Sequence, residues 1–189
     1  VDPVRAARAV REYLLALGLR PDDDVDLAGT VDRVVATGLE LFAGVGQDAV
    51  AALTRGSMVH QASDQLIALA DIPFRSTCQH HLLPFEGTAS VVYQPGGRIA
   101  GLGAVVAALD VVSSRPQLQE RLTEEVADSV AEGLQARGVL VVTRARHGCV
   151  WARSARLHAP ELRVVTHRGV LSTGELHGEA LALAGVSRA

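Results

Sequence analysis

The stretch Ser76-Thr77-Cys78-Gln79-His80-His81-Leu82-Leu83-Pro84-Phe85-Glu86-Gly87 marks the place where the chain turns from helical to strand-like patterning. After it, Thr88 to Tyr93 reads as a strand, Gln94-Pro95-Gly96-Gly97 as a turn and Arg98 to Ala100 as a returning strand, so a hairpin is expected. Gly103 to Val112 and Gln117 to Ala136 have helical spacing, the second closed by Gly138. Strand character returns at Val139 to Ala145, Cys149 to Ala152 and Leu162 to Val165, and Glu175 to Leu183 reads as a last helix. Before the stretch, Val4 to Leu17 is an amphipathic helix with Arg5, Arg8, Arg11 and Glu12 on its polar side. Val31 to Phe42 repeats that pattern with Thr30 as N-cap, Asp48 to Leu53 makes a short helix, and Gln65 to Ala70 fits either helix or strand.

This order predicts an α+β domain with helices on one face of an antiparallel sheet. It divides the chain into an N-terminal helical region, 1–70, and a catalytic domain, 71–189, that form one structural unit. A doubly wound nucleotide-binding sheet would need more regular alternation. Gly101-Leu102-Gly103 also lacks the third glycine and the later acidic residue of a dinucleotide loop.

With 189 residues and 48% apolar content the chain can bury a full core. A net charge of -3 and 3% aromatic residues provide neither a field for a phosphate backbone nor platforms for stacked bases, so no nucleic-acid partner is expected. The longest apolar runs are about ten residues, too short to span a bilayer, and the start has no basic segment followed by an apolar core, so no membrane partner and a cytoplasmic location are expected. Two cysteines do not make a disulfide scaffold and fit a reducing compartment. All 18 basic residues are arginine, which excludes a Schiff-base or phosphate-binding lysine.

Both cysteines stand beside histidines, in Cys78-Gln79-His80-His81 and His147-Gly148-Cys149. A thiolate and an imidazole three positions apart can reach one metal ion from a tight turn, and three protein ligands with an open fourth position define a catalytic zinc. Such an ion brings a bound water to a pKa of about 7, while a neighbouring non-ligand histidine moves protons. The spacing leaves open which histidine is ligand and which is acid or base. A second cluster, Gln119-Glu120-Arg121, opens the long helix, where a carboxylate could accept both donors on the pairing edge of guanine. On an exposed helix the same triplet is commonly just a solvated face.

The segment Ser76 to Gly87 resembles the zinc-site segment of the GTP cyclohydrolase I family, whose usual form has Glu where this chain has Gln79. Tyr93-Gln94-Pro95, Gly101-Leu102, Gln117 to Thr123, Gly138-Val139 and His147-Gly148-Cys149 resemble further family motifs in order and spacing, over residues 30 to 171. The resemblance implies a tunnelling fold: an antiparallel sheet carrying two packed helices, with subunits assembled into a toroidal homo-oligomer of typically ten chains and active sites between neighbours. It implies zinc held by Cys78, His81 and Cys149, proton transfer by His80 and His147, guanine held by Gln119 and Glu120, and phosphate contacts from Arg33 and Arg153. In the family, zinc-activated water attacks the imidazole-ring carbon of the purine, formate leaves, and the ribose rearranges to close dihydroneopterin triphosphate.

The chain departs from the family after Gly101-Leu102, where the usual Ser, Lys and Arg that contact ribose and triphosphate are Gly103, Ala104 and Ala107. At about 1.5–3 kcal/mol per charged hydrogen bond, that loss removes about 4–7 kcal/mol of binding to a polyanion, a thousandfold or more. Gly103 also has no hydroxyl to assist sugar rearrangement. The sequence therefore leads to an expectation of a zinc-dependent hydrolase that opens the imidazole ring of a guanine-type small molecule (base, oxidised guanine, nucleoside or monophosphate) and yields an aminopyrimidine. The alternatives are an authentic GTP cyclohydrolase I and a non-catalytic purine-binding or regulatory subunit. His167-Arg168 either reshapes the pocket or is a surface strand end, and His60, His158 and His177 receive no function.

Overall fold

The computed structural model describes residues 1–153 and 160–186, and these form two compact units, 1–43 and 44–186. In the first, α1 (Pro3–Ala16) begins at Asp2, whose carboxylate accepts from the Arg5 N–H, and packs against α2 (Thr30–Leu41). Arg11 is paired with Asp22 across the connection. The N-cap of α2 is Gly29, at φ 72°, and not Thr30, whose hydroxyl instead accepts from Arg33.

The second unit opens with α3 (Ala49–Arg55), capped by Asp48, and β1 (Ser57–Val59). It continues through β2 (Ile67–Cys78), β3 (Pro84–Gln94), β4 (Arg98–Ala100), α4 (Leu102–Ser113), β5 (Pro116–Gln117) and α5 (Gln119–Leu134). It ends with β6 (Gly138–His147), the single turn α6 (Gly148–Trp151), β7 (Leu162–Gly169) and α7 (Gly174–Leu183). The five-stranded sheet has the order β5-β2-β3-β6-β7, antiparallel throughout except for the short parallel pairing of β5 on β2. The α+β class and the antiparallel sheet carrying two long helices are as expected. The compact units part at Ala43, whereas the sequence reading drew its boundary at residue 70: α3 packs on α4 and α5, and the ambiguous stretch at 65–70 becomes the start of β2.

Alternating side chains of the central strands feed two cores. Ala89, Val91 and Tyr93 of β3, with Val139 and Val141 of β6, face Leu53, Leu109, Leu122, Val126 and Val130 of the three helices. Val92, Leu140 and Val142 point the other way, onto Leu171, Ala180 and Ala184 around α7. Because both faces are covered, β6 reads as an unbroken apolar run and does not alternate. Helices on one face alone was therefore too simple.

Three local expectations are corrected. β3 and β4 do not form a hairpin: β2 and β6 already occupy both edges of β3, so β4 pairs with β1 through Met58 and Ile99. The glycines of that turn serve close approach, since a Cβ on Gly96 would lie 1.8 Å from the Gln135 carbonyl oxygen. α5 closes on Gln135 in the left-handed region, φ 51°, and Gly138 belongs to β6. Residues 149–152 are not a strand, because β6 ends at His147 and the chain turns into α6.

Gly87 lies where β3 crosses β6 most tightly, a Cβ there falling 1.8 Å from the Arg144 carbonyl oxygen. Gly87→Ala should force the strands apart and lower stability by about 1–3 kcal/mol, read as a lower denaturant midpoint.

Candidate active site

Cys78 ends β2 and is 6% exposed. Its N–H donates to the Leu83 carbonyl at 2.8 Å and its carbonyl accepts from the Leu82 N–H at 2.8 Å, closing a tight loop in which Leu82 adopts φ 52°. Gln79 N–H donates to the Gln117 carbonyl, so β5 holds the loop from the side. That closure brings His81 Nδ1 to 3.9 Å from Cys78 Sγ. The third donor arrives through sheet register: Phe85 of β3 stands opposite His147 of β6, so Cys149, two residues on, sits at the mouth of the β2–β3 loop. Ligand atoms of Cys78, His81 and Cys149 all lie within 4.8 Å of one another.

These donors fit a zinc ion. Tetrahedral Zn–S and Zn–N bonds of about 2.0–2.3 Å place ligand atoms less than ~4 Å apart, a small contraction from the observed spacing. Both cysteines are free thiols. Burial, and then the adjacent Cys78, push the Cys149 thiol up, so without a cation Cys149 resists ionisation, and a bound divalent ion would invert that preference. Two thiolates and one imidazole leave a fourth position for water or substrate.

Around this centre stand the remaining candidates. The Arg153 guanidinium lies 2.7 Å from His81 Nε2, and His80 is exposed, its ring edge-on to His81 at 6.2 Å. His147 is stacked on Phe85, ring centroids 4.7 Å apart and planes within 8°, and its Nε2 lies 2.8 Å from Gln119 Oε1. Burial lowers the His147 pKa below the usual imidazole value, and the Glu120 charge opposes that shift. Glu120 is exposed and makes no hydrogen bond or ion pair among the described residues.

Gln119 is placed differently from its neighbour. It is 1% exposed, and its amide nitrogen faces the Thr143 hydroxyl, the Thr143 carbonyl and the Leu162 carbonyl. Arg33 belongs to the N-terminal unit, where its guanidinium donates to the Ala28 carbonyl and the Thr30 hydroxyl. On α4, Gly103 is exposed with open space about it, Ala104 is buried against Gly56, and Ala107 is half-buried. Sequence reasoning missed Phe85, Thr123 and Thr143. The one signal for Thr143 was a lone hydroxyl in an apolar strand. His167 meets His177 edge-on at 5.3 Å and Arg168 pairs with Asp128, so this strand end is a surface feature; His158 lies outside the described residues.

The sequence profile of the GTP cyclohydrolase I family matches residues 6–184. The chain belongs to this family. It is 43% identical to GTP cyclohydrolase 1 of Leifsonia xyli over 188 residues, 100% of this chain and 98% of that protein. It is 40% identical to GTP cyclohydrolase 1 of Mycobacterium tuberculosis over 174 residues, 91% of this chain and 85% of that one. Among solved structures, the apo form of archaeosine synthase QueF-Like aligns at a TM-score of 0.44 and 21% identity, covering 57% of this chain and 96% of that one. Family membership makes the chain a hydrolase acting on a cyclic amidine. Among the described residues no helix is long and apolar enough to cross a membrane.

Cys149→Ala removes one of the three donors and should leave the purified protein with well under a tenth of the wild-type zinc content by elemental analysis, with the helical signal in circular dichroism retained.

Proposed function

We propose that the chain opens the imidazole ring of GTP, releases C8 as formate and closes the remaining aminopyrimidine with the ribose carbons into dihydroneopterin triphosphate. The observation that carries this reading is the convergence of Cys78, His81 and Cys149, with His147 two residues before Cys149 and hydrogen-bonded to Gln119, the neighbour of Glu120. The chain supplying that cluster matches proteins named GTP cyclohydrolase 1 over nearly their whole length.

Each residue has work suited to its place. The Glu120 carboxylate accepts from the two adjacent N–H groups on the guanine pairing edge. Cys78, His81 and Cys149 would hold a zinc ion, whose Lewis acidity would make a nucleophilic water available at neutral pH. His147, kept neutral by burial, is ready to take a proton, and the exposed His80 returns one to the nitrogen that leaves the opened ring. Arg153, reaching into the same space, is placed for the anionic tail, and Arg33 for the same tail if a neighbouring subunit in a ring-shaped homo-oligomer delivers it. A cytoplasmic setting matches such a soluble substrate.

One feature favours a second reading, in which the substrate is a guanine-type base, nucleoside or monophosphate. The turn of α4 that would face the triphosphate offers Gly103, Ala104 and Ala107, none with a polar side chain, and Ala104 is packed under Gly56. Incubating the zinc-loaded protein with GTP, GMP, guanosine and 8-oxoguanine separates the two. Formate and an oxidisable fluorescent pterin from GTP at enzymatic rates support the first, and formate from the smaller substrates with no pterin from GTP supports the second. Formate from none would defeat both and leave a purine-binding subunit.

Glu120→Gln replaces an acceptor of two hydrogen bonds by a group that accepts only through its carbonyl. It should lower kcat/KM for the preferred purine roughly 10- to 100-fold, leaving Tm close to wild type because the side chain is exposed.

A further inference from the structure

A chain of hydrogen bonds beneath the site fixes where every proton lies. The Thr123 hydroxyl is 2.7 Å from the Gln119 main-chain carbonyl, which can only accept, so Thr123 spends its one hydrogen there. Thr123 and Thr143 hydroxyl oxygens are 2.7 Å apart, and with Thr123 committed the hydrogen between them belongs to Thr143. Thr143 then has only a lone pair to turn toward Gln119, 3.1 Å away, so the Gln119 side-chain atom facing it is the NH2. Two carbonyls, of Thr143 at 3.3 Å and of Leu162 at 3.1 Å, demand the same orientation independently.

The amide is therefore locked with Oε1 toward His147, and an oxygen with no hydrogen must receive one from His147 Nε2, 2.8 Å away. Nδ1 is left as the bare nitrogen of the neutral ring. Stacking on Phe85 fixes the ring plane, so rotation and tautomer are both set. Thr123 and Thr143 are fully buried, Gln119 is 1% exposed and His147 is half-buried. Water does not compete for the bonds among Thr123, Thr143 and Gln119 in the way it does at the surface.

We propose that Gln119 is a positioning residue, not a substrate contact: with Thr123 and Thr143 it holds His147 in the Nε2–H tautomer, so that Nδ1 is the nitrogen that accepts the proton during ring opening. The role given to His147 rests on the functional reading above, whereas the tautomer can be read without substrate.

Nitrogen-15 solid-state NMR of the histidine-labelled, zinc-loaded protein at about pH 8, with His147 assigned by its loss in His147→Asn, decides the wiring. A single His147 species protonated at Nε2 and bare at Nδ1 is expected. A proton on Nδ1 with bare Nε2 would overturn the proposal whatever the variants do. Gln119→Met should give a mixture of tautomers, wild-type zinc content and a kcat lowered roughly 10- to 100-fold with KM within about twofold. Thr143→Ser, which keeps the hydroxyl, should keep the wild-type tautomer and kcat, and Thr143→Val should fall between wild type and Gln119→Met. A raised KM with unchanged kcat in Gln119→Met would make Gln119 a substrate contact and sink the positioning role. If no purine is turned over, the functional reading fails, and the tautomer spectrum still decides the relay.

Discussion

Every feature of the site descends from one register, the pairing of Phe85 with His147 across β3 and β6. Three residues before Phe85 the chain is still in the loop that presents His81, and two residues after His147 it presents Cys149. A slip of one residue would turn His147 off the Phe85 ring and carry Cys149 away from Cys78. It would also exchange the two faces of β6, sending Val139 and Val141 toward α7 and Leu140 and Val142 toward α5. Since both faces are buried, the cores enforce the register that the metal ligands need. The stability of the sheet and the geometry of the site are thus one constraint.

The electrostatics follow from where that register puts each group. The two thiols lie close together in a setting whose burial raises the Cys149 pKa, an arrangement that a divalent cation could hold in the thiolate form. His147 is pressed between Phe85 and the Gln119 amide, where burial keeps it neutral, while Glu120 stands in solvent one residue beyond. Consecutive residues at the start of α5 therefore do opposite things. Gln119 points into the sheet and completes a buried network, and Glu120 is exposed, with no hydrogen-bond partner among the described residues.

That divergence marks the limit of what the sequence made legible. The clustering of Cys78, His81 and Cys149 could be read because Cys and His are rare and their spacing carries the geometry: Cys78 and His81 share a six-residue loop, and Cys149 repeats the pairing with a histidine. The helices could be read because their apolar periodicity is strong. Partner choice among strands could not, since nothing within residues 94–100 records that β2 and β6 already hold the edges of β3. Nor could the direction of Gln119 be read, because it depends on acceptors 24 and 43 residues away, at Thr143 and Leu162. Local pattern reveals which residues have the chemistry, and long-range pairing decides which of them face the substrate.

The same division explains how α4 can depart from its family while the Cys78, His81 and Cys149 cluster is kept. The candidate donors and histidines sit at the end of β2, in the loop between β2 and β3, at the end of β6 and in α6, which the paired strands hold in place. The buried face of α4 is Val105, Ala108, Leu109 and Val112, and it packs into the core whatever stands at the exposed position 103. Replacing polar residues at positions 103 and 107 by Gly and Ala therefore leaves the sheet register and the thiol pair untouched, and acts only on what the helix offers to a ligand. Position 104 is different. Its Cβ already lies against Gly56, where an added Cβ would approach to 2.7 Å, so α3 and α4 have closed over the place of a long cationic side chain. An alanine so packed is part of the core, and any anionic tail must then be met by arginines on other elements, with Arg153 the one that already reaches the centre.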